Sequence, residues 1–264
     1  MNSYKIALLI PCTSKNRPHW KTMKDTYLYQ YTLKTFLWSI LNKSQSSHPS
    51  QDSSPQHEYH VYIGYDEGDH IFSTSLEQLV LKRFESVFPH LHLHFIEFNT
   101  SECKQGHLTR MWNILYQKAY KDKCDYFYQC GDDIHFHTKG WVNESIEKLQ
   151  KNHNIGISGP INNNPRILTQ AMFSRRHMEI FGYLFPEKEI KNWCCDDWYN
   201  WVYQPTHFFP LTNHYCSNNG GKPRYIINND VHFLENAREN TNRLREETYR
   251  LAQKHKKLIQ NFNY

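Results

Sequence analysis

The chain has 264 residues, of which 39% are hydrophobic and 22% charged, and a formal net charge of +5. That composition suits one α/β domain with a sizeable core and excludes a disordered, collagen-like or disulfide-scaffold chain. Lys and Arg form no long basic run, and no apolar run approaches a membrane-spanning length, so neither a nucleic-acid partner nor a membrane span is expected.

Residues 5–11 (KIALLIP) are a short apolar run ended by Pro, the pattern of a buried parallel strand. The polar loop CTSKNR follows, and an amphipathic stretch from Thr22 to Leu41 reads as a helix. Residues 43–57, rich in Ser, Gln and Pro, read as a flexible surface insertion. HVYIGYDEGD is a strand running into an acidic turn, and SLEQLVLKRFESVF a helix. HLHLHFIEF alternates as a strand with His90, His92 and His94 on one face, read as a half-exposed strand face rather than a metal site.

GHLTRMWNILYQKAY is a helix, DYFYQCGDDIHF a strand breaking into a carboxylate-bearing turn, WVNESIEKLQKN a helix and IGISGP a strand. Residues 165–190 are rich in aromatics. NWCCDDWYNWVYQ opens another helix, RYIINNDVHF is a late strand, and residues 236–264 form a charged helical extension. Strands alternating with helices imply a mainly parallel, Rossmann-like sheet within a single domain spanning 1–264, and ligands of such sheets bind at the strand C-terminal ends.

The seven cysteines include no C-x-x-C pair, and Cys194 and Cys195 are adjacent. They read as thiols of a reducing compartment, and a cytoplasmic location is expected. There is no G-x-S-x-G elbow and no G-x-x-x-x-G-K-[ST] phosphate loop, which argues against a serine hydrolase and a P-loop enzyme.

Three constellations carry chemistry. Gly131-Asp132-Asp133 follows a strand, and adjacent carboxylates there persist at low cost only in water or beside a cation such as Mg²⁺ or Mn²⁺. Trp193-Cys194-Cys195-Asp196-Asp197-Trp198 sets two carboxylates between indoles, with Asp196 a candidate helix N-cap and Asp197 a candidate general base. Asp230-Val231-His232 offers a late imidazole as a borderline metal ligand.

In this order the motifs resemble those of GT-A glycosyltransferases, of the family-2 kind, over residues 5–235. The resemblance implies a single GT-A-type domain with a C-terminal helix, a nucleotide-sugar donor (a UDP-sugar favoured), a Mn²⁺ or Mg²⁺ cofactor, and a glycan, protein or small-molecule acceptor. It places Asp133, Asp132 and His232 at the metal, Gly131 where the family's first Asp usually stands, and Asp197 as the base with Asp196 before it. Pro11, Cys12, Thr13, Arg17 and Asp66 would border the nucleoside, while His107 and Arg110 would face the phosphates. Asp132 and Trp193 would complete the donor site. Inverting transfer is expected. Alternatives are a metal-dependent nucleotidyltransferase and a non-catalytic carbohydrate- or RNA-binding module.

Overall fold

The computed structural model describes residues 2–41, 57–164, 166–221, 225 and 237–262. Among the described residues eight strands form the sheet: β1 (Lys5–Cys12), β2 (Glu58–Asp66), β3 (Leu91–Phe98), β4 (Tyr126–Gln129), β5 (Ile134–Phe136), β6 (Ile157–Ile161), β7 (Ala171–Ser174) and β8 (Phe208–Asn218), in the order β3-β2-β1-β4-β7-β6-β8-β5. The helices are α1 (Lys34–Ile40), α2 (Ser75–Val87), α3 (Leu108–Lys121), α4 (Trp141–Gln150), α5 (Arg175–Phe181), α6 (Cys195–Tyr203) and α7 (Ala237–Gln260). No helix among the described residues is long and apolar enough to cross a membrane.

The half made of β3, β2, β1 and β4 is parallel throughout. Helices cover both its faces, so β1 is apolar on both sides. Ile6, Leu8 and Ile10 join one core cluster with Phe36, Tyr128 and Trp141. Ala7 and Leu9 join the other with Trp112, Phe127, Phe173 and Trp198. β7 then enters antiparallel beside β4, and β6 and β8 run parallel to each other beyond it. Two of these strands were not foreseen. β7 lies within the aromatic-rich stretch, and β8 lies in a segment whose composition carries no clear alternation. The late strand expected at 224–233 lies outside the described residues except for Tyr225, as does residue span 42–56 of the expected insertion.

The expected single helix over Thr22–Leu41 is instead three pieces. A 3₁₀ turn spans Met23–Asp25, a π-helical segment spans Leu28–Leu33, and α1 follows. The cause lies in what the threonines must reach. Thr32 Oγ1 accepts from the Ile134 amide at 2.8 Å, and Thr35 Oγ1 accepts from the Phe136 amide at 3.0 Å. β5 ends the sheet, so these inward amides have no neighbouring strand, and a buried amide left unpaired is costly. The wide π turn aims both hydroxyls at the strand that leaves the Asp132–Asp133 turn. Thr32→Val keeps the shape but removes the acceptor. It is expected to lower unfolding free energy by about 1–3 kcal/mol, read as a shift of the urea midpoint at unchanged slope.

Candidate active site

The parallel strands β1, β2 and β4 end on one side of the sheet, and the polar loops that follow them gather there, where ligands of such sheets bind in a crevice. Pro11 and Cys12 close β1. Thr13 Oγ1 then donates toward Asp66 Oδ2 at 3.2 Å and Asp69 Oδ2 at 3.3 Å. The Tyr225 hydroxyl donates to the same Asp66 oxygen at 2.8 Å. Burial pushes the Asp66 carboxyl up, and the bonds from Tyr225 and Thr13 pull against it. Asp69 ties the loops together: it accepts from the Ser14 amide at 2.7 Å, from Ser14 Oγ at 2.8 Å and from the Phe72 amide at 3.0 Å. Arg17 is buried. Its guanidinium lies 5.6 Å from the Tyr27 ring centre and donates from Nη2 to the Gly220 carbonyl at 3.2 Å.

β4 runs on into Cys130-Gly131-Asp132-Asp133. Asp132 is buried. The Asp133 carboxylate sits between two glycines: a Cβ on Gly220 would lie 1.7 Å from its Oδ2, and one on Gly131 would lie 2.6 Å from its Oδ1. The Asn219 amide donates to the Asp133 carbonyl at 2.9 Å. The loop after β8 is therefore fitted around Asp133, and Arg17 grips the same loop from the β1 side. Sequence reading missed Asp69, Ser14, Tyr225 and Gly220. The Asn-Asn-Gly-Gly run at 218–221 was the signal for Gly220, since adjacent glycines mark close backbone approach.

Asp196 and Asp197 occupy the first turn of α6, where the helix dipole favours negative charge. The N-cap is Cys194, in a left-handed conformation at φ 67°, so the N-cap reading of Asp196 is corrected by two residues. Asp196 Oδ1 instead accepts from the Asp197 amide at 3.0 Å. Burial, and then the adjacent Asp197 charge, push the Asp196 carboxyl up to about 6. Asp197 Oδ1 lies 3.4 Å from Arg245 Nη2 of α7. The Tyr199 hydroxyl donates to Gln129 Oε1 at 3.2 Å, which fastens this helix to the end of β4 and so to the Asp132–Asp133 turn.

His107 and Arg110 stand at the start of α3 and bind the 182–190 loop. His107 Nε2 is 3.1 Å from the Glu187 carbonyl, and Arg110 Nη1 donates to Glu187 Oε1 at 2.9 Å. Gly106 lies against Tyr225, so this loop borders the Asp66 side of the crevice. Trp193 is exposed and lines a separate cavity of about 630 Å³ between the 189–193 loop and α7. His232 lies outside the described residues. The seven cysteines are buried and form no disulfide.

No protein-family model and no curated protein matches the sequence. The fold does match solved structures. TarS of S. aureus superposes with a TM-score of 0.50 at 11% identity, over 80% of this chain and 36% of TarS. TarS 1-349 gives 0.50 at 12% identity, over 80% of this chain and 60% of that one. TarS 1-349 in complex with UDP-GlcNAc gives 0.50 at 11%, over 83% and 60%. The chain thus spans less than two thirds of each of these. At this identity the likeness is one of architecture: the chain has the GT-A-like fold of these structures.

Proposed function

We propose that this chain transfers a sugar from a nucleoside diphosphate donor to an acceptor hydroxyl, with inversion at the anomeric carbon. One observation carries the reading. In a GT-A-like fold, both acidic pairs lie on elements that meet at the C-terminal end of β4, one of them fitted between glycines. The solved TarS complex with UDP-GlcNAc supports a UDP-sugar as the donor to try first.

The roles follow from chemistry and placement. Thr13, Asp66 and Tyr225 form a polar wall against which a nucleoside's hydroxyls and ring edge can bond, and Arg17 brings positive charge beside Asp133. Asp132 and Asp133 are hard oxygen donors at a shared turn, a set that fits Mn²⁺ or Mg²⁺, and His232 is the proposed third ligand. Such an ion supplies charge neutralisation for the diphosphate. Asp197 accepts the acceptor hydroxyl's proton while that oxygen bonds to the anomeric carbon. The bond from that carbon to the diphosphate oxygen breaks, and its electron pair leaves on the nucleoside diphosphate. Arg245 fixes the orientation of the Asp197 carboxylate. Asp196 titrates near pH 6 and adds a second negative charge beside Asp197 once ionised.

Metal dependence, removal of the base and the pH profile test this. Donor hydrolysis or transfer, screened over a panel of nucleotide sugars, is expected to need Mn²⁺ or Mg²⁺, to vanish with a chelator and to return on adding the ion. Asp133→Asn should lose it with the fold intact by circular dichroism. Metal-independent binding to glycan or RNA alone, with no turnover, would instead identify a binding module. Asp197→Asn should lower turnover by about 10²–10⁴-fold while donor affinity is kept. Wild-type turnover should climb as pH rises through about 6, where Asp196 ionises, and Asp196→Asn should retain turnover but lack that limb. If Asp197→Asn keeps near-normal turnover, the base is misassigned.

A further inference from the structure

Far from that crevice, the parallel register of β2 and edge strand β3 sets histidines side by side. His60 pairs with His92, and Tyr62 with His94. Glu58 stands two residues before His60 and so on the same face. The ligand atoms of Glu58, His60 and His92 all lie within 4.8 Å of one another. The His60 and His92 rings stack at 4.7 Å. His60 Nε2 is buried without a hydrogen-bond partner and lies 3.6 Å from Glu58 Oε2. The alternation of β3 put His90, His92 and His94 on one face, read from sequence as a half-exposed strand face rather than a metal site. The structure keeps His92 as a cluster member, moves His94 behind His60, and supplies Glu58 and His60 from the neighbouring strand.

We propose that Glu58, His60 and His92 bind a zinc-like divalent ion that ties edge strand β3 to β2. Two imidazoles and a carboxylate are the borderline donor set that zinc takes, with water in a fourth position. Tetrahedral ligands at about 2.0–2.2 Å from an ion are about 3.3–3.5 Å apart, so the present spacing closes with roughly an ångström of side-chain movement. His60 ligates through the orphaned Nε2. Its Nδ1 is 3.0 Å from His94 Nε2, so the Nδ1 proton is donated there, which fixes ring and tautomer as outer partners of metal-bound histidines do. His94 is itself held flat on Tyr62, with ring centres 4.5 Å apart. Among the described residues Lys5 competes for Glu58, its Nζ 3.6 Å from Glu58 Oε2; that pair is well exposed and weak.

Zinc titration of the full chain by calorimetry, with thermal melting alongside, tests the site. Wild type should take up one equivalent that the Glu58→Gln/His92→Gln double variant lacks, and zinc should raise the melting temperature of wild type more than that of the double variant. Each single change, and His94→Phe, should weaken that step by about 10–100-fold. Lys5→Gln, an exposed change that leaves folding alone, should tighten it by up to about fivefold. The proposal is overturned if the double variant, with a wild-type circular dichroism spectrum, binds zinc with wild-type stoichiometry and affinity. It is equally overturned if wild type takes up none.

Discussion

The Asp133 carboxylate occupies space that exists only because Gly131 and Gly220 have no side chains. The strand β4 brings the acid to the sheet edge, and the loop after β8, a long way on in sequence, closes over it. Three contacts set that approach: the Asn219 amide on the Asp133 carbonyl, the Arg17 guanidinium on the Gly220 carbonyl, and Thr32 on the Ile134 amide. They come from four separate segments, so the geometry of the carboxylate is a property of the assembled fold.

The second acidic pair is arranged differently. Asp196 and Asp197 share a helix start whose dipole stabilises one charge well and two poorly. One carboxyl responds by holding its proton to about 6, and the other is met by Arg245 from α7. The C-terminal helix is thereby part of the site rather than an appendage. It packs on α6 through Trp198, whose Nε1 donates to His255 Nδ1 at 3.2 Å, and through Arg245, 5.6 Å over the Trp201 ring.

Local pattern made much of this legible. β1 to β4 and the helices α2, α3, α4 and α6 follow from apolar periodicity, since each buries one stripe or both faces against the sheet. The two acidic motifs were visible because adjacent carboxylates are costly and stand out. The π segment near Thr32 was hidden, because its cause is a pair of amides a hundred residues away. β7 and β8 were hidden because their burial depends on which strands they join. The histidine cluster was half visible: alternation marked β3, but the ligands on β2 emerge only from register. Gly220 and Asp69 act through contacts that no single stretch of sequence displays.

The tight seat of Asp133 is best tested by filling it. Gly220→Ala places one methyl group where the carboxylate now lies and touches no other proposed ligand. With wild-type circular dichroism and melting temperature as controls, calorimetry should show UDP-sugar affinity in the presence of Mn²⁺ falling by at least about tenfold, the equivalent of roughly 1.4 kcal/mol. Undiminished Mn²⁺-dependent affinity in that variant would contradict the account, because the donor would then be bound without the carboxylate in its present place.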